Sequence, residues 1–177
     1  MGARPRVDVW STEQARAHER FSFWREAICQ SMFNISIEAA TERFTARLSA
    51  RSSGALSFAR SESSDYRIMR SRCDVETAPA DHCTIYLQMR GRTVFEQGGE
   101  VITLEPDDIA ILDGRRPFRA GFAEGGRRAV AKLPRQMLDH RAPWLRRRPL
   151  HRIPAGAQFA DLARDHMIAL TDRKSVV

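Results

Sequence analysis

The chain has 177 residues, 42% hydrophobic and 29% charged, with a formal net charge of +7. That is enough for one domain with a proper core, short for two, and too apolar for wholesale disorder. No run of about 18 apolar residues exists, which excludes a membrane-spanning helix, and the charge is scattered arginine (Lys132 and Lys174 are the only lysines), as on a solvated face rather than a nucleic-acid footprint.

Residues 1–11 begin MGARPRVDVW, with no apolar stretch to make a secretory signal, and are expected to form a flexible arm. Ser11-Thr-Glu-Gln14 has the pattern of a capping box, with Gln14 reaching back to the cap. Phe21, Trp24, Ile28 and Met32 then recur at helical spacing, predicting an amphipathic helix to about Phe33. Ile35 and Ile37 alternate with Ser36 and Glu38 in a first strand, and Phe44–Arg51 alternates similarly before a Ser-Ser-Gly turn. Leu56 and Phe58 mark a third strand. Tyr66, Ile68 and Arg70 share one parity in a fourth. Residues 73–82, with Asp74, Pro79 and Asp81, read as a surface loop.

Strands near 84–90, 93–96, 100–104, 109–113, 118–122 and 128–133 follow. Gly98-Gly99 and Gly125-Gly126 are expected as hairpin glycines, and Asp107-Asp108 as turn residues after Pro106. Past Leu133, Pro134 opens a short helix to His140, and Arg146–Pro149 is a loop. Phe159, Leu162, Ala163, Met167 and Leu170 mark a late amphipathic helix. The expected fold is mostly β with flanking α: a cupin-like or jelly-roll β-barrel, preceded by one helix and followed by short C-terminal helices. The divisions are 1–11 (arm), 12–133 (helix and barrel) and 134–177 (helical segment).

Catalytic chemistry finds little footing. A metal-binding barrel gathers several His and a Glu at alternating strand positions, whereas of His18, His82, His140, His151 and His166 only His82 lies near the barrel strands. Glu96 and Glu100 flank one hairpin, where charged residues are ordinarily solvated. No Gly-x-Ser-x-Gly elbow, phosphate-binding glycine loop or local Cys–His signature is present. Cys29, Cys73 and Cys83 lack paired spacing and read as small buried side chains. The expectation is a sensing barrel with no cofactor and no enzymatic activity.

Several segments, in order, carry a family resemblance. They are Phe23-Trp24-Arg25-Glu26, Arg70-Ser71, Tyr86-Leu-Gln-Met-Arg-Gly91, Gly99-Glu100 with Leu104-Glu-Pro-Asp107, and Ile111-Leu-Asp113 with Arg116-Pro117-Phe118. Leu133-Pro134-Arg135 with Leu138, and Ile153-Pro154, complete the set. Over roughly residues 10–170 the chain resembles the N-terminal regulatory domain of AraC/XylS-type transcriptional regulators. The resemblance implies a barrel that binds a small effector of unknown class, helices that make a homodimer, and a cytoplasmic protein. In that family DNA is bound by a C-terminal pair of helix-turn-helix units, which this chain lacks. It therefore reads as a truncated regulator or a stand-alone sensor.

If the pocket follows that barrel, the polar candidates for ligand binding are Arg70, Tyr86, Gln88 and Asp113, with Trp24 or Phe118 as apolar wall. Arg70 suits a carboxylate ligand bidentately or an acidic neighbour equally, and Trp24 suits the core. Parity puts Tyr86 and Gln88 on one face without saying which. Phe159, Leu162 and Met167 are the candidate dimerisation stripe. Two rival readings remain: a small metalloenzyme using Glu96, Glu100 and His82, and an inactive truncated remnant.

Overall fold

The computed structural model describes residues 7–40, 43–78 and 81–172. Ten strands and four helices follow one another: β1 (Val7–Ser11), α1 (Arg20–Ser31), β2 (Ser36–Ala40), β3 (Ala46–Ser53), β4 (Leu56–Ser63), β5 (Tyr66–Arg70) and α2 (Arg72–Thr77). Then come β6 (His82–Gln97), β7 (Glu100–Leu104), β8 (Ile109–Asp113), β9 (Phe118–Pro134), α3 (Arg135–Asp139), β10 (Leu150–Ile153) and α4 (Ala160–Thr171). All strand pairings are antiparallel.

Two long, bent strands build the barrel. The second half of β9 pairs with β4 and with the first half of β6, in the order β1-β3-β4-β9-β6-β8-β10. The first half of β9 pairs with β5, and β5 with β2, while the second half of β6 pairs with β7. Both long strands therefore pass from one wall to the other. The register shifts at Arg90 and again at Arg92, where β6 and β9 cross. A Cβ on Gly91 would lie 2.7 Å from the Ala123 carbonyl oxygen and 2.9 Å from Gly126 Cα, so the crossing admits only glycine there.

The strands expected at 84–90 and 93–96 are thus one strand, as are those at 118–122 and 128–133. Gly125-Gly126 lies within the β9 bend and not in a hairpin. Gly98-Gly99 does make a hairpin, between paired Gln97 and Glu100.

Three other segments differ from expectation. Val7–Ser11, within the expected arm, is an edge strand on β3; residues 1–6 lie outside the described residues. Residues 72–77, within the expected loop, form α2, because Ser71 and Asp74 make a capping box: Ser71 N donates to Asp74 Oδ2 (2.8 Å) and Asp74 N to Ser71 Oγ (3.1 Å). Cys73 is consequently exposed. Leu150–Ile153 is a strand on β8. The Ser11–Gln14 capping box forms as expected, but over a single 3-10 turn, with α1 starting at Arg20.

The main core fills the barrel. Trp24, Ala27 and Ile28 from α1, and Met32 just after it, pack with Phe44, Leu48, Tyr66, Ile68, Tyr86, Phe95, Phe122 and Val130. A second core lies outside, where Met167 of α4 meets Phe58, Leu87, Ile109, Ala129 and Ala131. The middle strands are buried on both faces, which is why their sequences lack clean alternation. No helix of the described residues is long and apolar enough to cross a membrane.

Candidate functional site

Inside the barrel is a cavity of about 40 Å³. One side is α1, presenting Trp24 and Ile28, with Met32 and Phe33 just after it. The opposite walls are Leu48 of β3, Ala59 and Ser61 of β4, Tyr66 and Ile68 of β5, Tyr86 of β6, and Phe122, Arg128 and Val130 of β9. Tyr66 stacks on Phe122 with centroids 4.5 Å apart, and Trp24 meets Tyr66 edge-on at 6.2 Å. The space holds a few water molecules, well below the roughly 300–1,000 Å³ of ordinary ligand pockets.

Arg128 is the unusual member of this lining. It is 1% exposed, yet no carboxylate among the described residues forms an ion pair with it. Its Nη1 donates to Ser63 Oγ at 3.1 Å, and Nε and Nη2 have no hydrogen-bond partner. The guanidinium carbon lies 4.2 Å from the centroid of the Phe122 ring and 6.0 Å from that of Tyr66. Burial lowers the Arg128 pKa, with Tyr66, Tyr86 and Asp65 opposing. Burial also raises Tyr66 and Tyr86, so both phenols stay neutral. Gly126 makes the arrangement possible: a Cβ there would collide with Arg128 Nη2. The Trp24 indole N–H also lacks a partner of full hydrogen-bond geometry.

Of the residues expected from sequence, Trp24 and Tyr86 reach this cavity; Arg70, Gln88, Asp113 and Phe118 do not. Arg70 is buried and forms no ion pair with an acidic residue among the described residues, donating from Nη1 to the Asn34 carbonyl (2.8 Å) and from Nη2 to that of Ala78 (2.9 Å). It ties the end of α1 to the end of α2. Gln88 is consumed by the β6 bend, bonding the Arg90 carbonyl and accepting from Thr93, both at 2.7 Å. Phe118 packs edge-on against Phe33 at 5.7 Å.

Asp113 is held in a knot of arginines. Its carboxylate meets Arg135 at 2.8 Å and Arg115 at 3.2 Å, with Arg116 at 3.8 Å. Burial would raise its pKa, but hydrogen bonds from Arg115 and the charge of Arg135 outweigh that and hold it below the usual carboxylate range. Gln97 closes the knot, accepting from Asp113 N at 3.0 Å and donating to its carbonyl at 2.9 Å.

The other expected groups separate in space. Phe159 and Leu162 are 68% and 65% exposed, but Met167 is buried in the second core, so the three do not share an open face. His82 stacks on Phe33 at the start of β6, with ring centroids 6.1 Å apart, whereas Glu96 is exposed near the end of β6 and Glu100 lies 3.8 Å from Arg148. No three His, Cys, Asp or Glu among the described residues converge as a metal site, so the set Glu96, Glu100 and His82 is not assembled. Beside His82 runs an open groove lined also by Cys29, Arg70, Asp81 and Lys132. Burial, aided by Lys132 and Arg70, pushes His82 down to about 4.

Sequence reasoning missed Tyr66, Phe122 and Arg128 as cavity residues. A signal existed: Phe118, Ala120 and Phe122 share the inward parity of β9, and Arg128 shares its parity with Val130 beyond the bend.

Comparison with known proteins agrees with this architecture. An uncharacterized protein in the nit 5' region of Bacillus sp. (strain OxB-1) is 27% identical over 131 residues, 73% of this chain and 51% of that protein. The crystal structure of the AraC-like transcriptional activator CuxR superimposes with a TM-score of 0.78 at 18% identity, covering 93% of this chain and 60% of CuxR. A cupin superfamily protein from Desulfitobacterium hafniense DCB-2 overlaps 55% of this chain and 83% of its own, with a TM-score of 0.40 at 15% identity. The chain thus spans between half and two thirds of the length of the first two. The family model for the AraC-binding-like domain matches residues 24–173, from the cavity tryptophan to just past α4, and the chain belongs to that family.

Proposed function

We propose that this chain is the effector-sensing domain of an AraC-type transcription regulator, a cytoplasmic module that binds a small molecule and performs no chemistry on it. The observation that carries this reading is the cavity between α1 and the barrel, walled by aromatic rings and containing a buried guanidinium with free donors. Such a space, mostly apolar with a few polar groups converging on it, is what small-molecule recognition requires. Because the cavity has room for only a few waters, a ligand would part α1 from the barrel, and coupling occupancy to the position of α1 is how a binding event becomes a conformational signal. DNA contact belongs, on this reading, to a part of the regulator other than the barrel. Phe159 and Leu162 at the start of α4 are the apolar surface through which two copies would pair.

A thermal-melt screen against small acids, amines and sugars tests the reading. A bound ligand at a hundredfold excess over Kd stabilises the fold by about 2.7 kcal/mol. One chemical class raising the Tm, with a smaller rise in W24A, is the expected result. A flat screen on a cooperatively melting protein defeats it. For pairing, sedimentation should give a dimer that F159S/L162S converts to monomer.

A further inference from the structure

Resting on the sensing reading, we propose that the effector is a small monocarboxylate, its anionic group held by Arg128 and its flat apolar body lying against Phe122 and Tyr66. A buried charge without a partner is among the costlier features a fold can carry, and packed apolar residues in its place usually stabilise. Arg128 is in that position, with Ser63 as its one hydrogen-bonded neighbour among the described residues. Gly126 keeps open the space that the guanidinium occupies. A local rule broken at such cost, with a second residue accommodating the break, is what a binding site looks like.

The pattern of free donors narrows the ligand. Nη1 is taken by Ser63, leaving Nε and Nη2, the two nitrogens whose N–H bonds run parallel along one edge of the guanidinium. That edge matches the two oxygens of a carboxylate, a short and strong bidentate pairing. Among the described residues Arg128 is the only charged one lining the cavity, so a single negative charge is neutralised and a phosphate dianion is not. The rest of the lining is aromatic and aliphatic apart from Ser61, the two tyrosine hydroxyls and the Trp24 N–H, which would leave most hydroxyls of a sugar unmatched. Phe122 and Tyr66 stack on one another beside the guanidinium and make an aromatic wall for the apolar body of such a ligand.

The test measures calorimetric affinities of phenylacetate and 3-phenylpropanoate against their primary amides, in the wild type, R128M and R128K, alongside the wider melt screen. Carboxylates are expected to bind the wild type about 10- to 100-fold more tightly than the amides, the difference that charge-assisted hydrogen bonds supply. R128M should lose that preference and R128K, which keeps the charge but not the parallel edge, should retain part of it. Equal affinity of acid and amide for the wild type, or full carboxylate affinity in R128M, overturns the carboxylate assignment while leaving a sensor of another class. Neutral sugars or amines binding where both acids fail has the same consequence. No compound of any class binding defeats the sensing reading itself. The acid–amide comparison in the wild type decides the question even if R128M fails to fold.

Discussion

Two buried charges in this barrel are treated in opposite ways. At one, Asp113, a carboxylate is surrounded by Arg115, Arg116 and Arg135, and its backbone is clamped by Gln97. At the other, Arg128, a still more deeply buried guanidinium meets aromatic rings and one serine hydroxyl. Compensated charge joins parts of the fold: the Asp113 knot binds the end of β8 to α3 and, through Arg135 and Asp139, to Arg146. Uncompensated charge contributes nothing comparable to the fold and is the place to look for a ligand.

The contrast is sharpened first by D113A, which strands Arg135 in a buried site. A loss of about 3 kcal/mol in denaturant unfolding is expected, at the low end for a broken buried pair because Asp139 still faces Arg135. A loss below about 1 kcal/mol would erase the distinction between the two centres.

G126A comes next. Its methyl group meets the Arg128 guanidinium and should cost about 1–3 kcal/mol, the usual range for overpacking. Full stability with unchanged ligand affinity would show that Arg128 is not held where Gly126 admits it.

A smaller effect is confined to acid pH. Below about 6.5 the unfolded chain takes up a proton at His82, while the folded chain refuses it until about 4. Stability should therefore decline as pH falls through that window, and H82Q should flatten the decline. The Asp113 contribution runs separately: present above the ordinary carboxyl pKa, it is lost only as pH drops through the depressed folded value. Melts recorded from pH 7 to 3 in wild type and H82Q separate the two.

The smallest expected change is in the stability of R128M, at or slightly above that of the wild type, because an unpaired buried charge is removed. Destabilisation by more than about 2 kcal/mol would place Arg128 with Asp113 among the structural charges.

Much of the fold was legible because alternation and helical spacing are local. The barrel, α1, the Gly98-Gly99 hairpin and α4 all follow from side-chain periodicity and turn chemistry. Gly125-Gly126 misled, since a glycine where two backbones nearly touch resembles a glycine in a turn. The capping box that starts α2 was present as Ser71 and Asp74, and β10 is too short at four residues to show a period. At the site, Trp24 was recognisable as a large residue on the apolar stripe of the first helix, and Tyr86 as a polar candidate of the barrel. Arg128 was not, because a charged residue is assigned to solvent until its surroundings are known.

The sequence by itself determined the fold class, the parity of several strands and the family, since each is carried by residues close together in the chain. Tertiary structure decided which parity faces inward, that β6 and β9 bend through both walls, and which arginine is left unpaired. Those outcomes depend on contacts between distant segments: Arg70 meets the carbonyls of Asn34 and Ala78, Asp113 meets Arg135, and Arg128 meets Ser63 and the rings of Phe122 and Tyr66, with no carboxylate among the described residues paired to it. Three similar arginines in one sequence become two structural ties and one candidate receptor because burial makes the presence or absence of a partner the dominant energy.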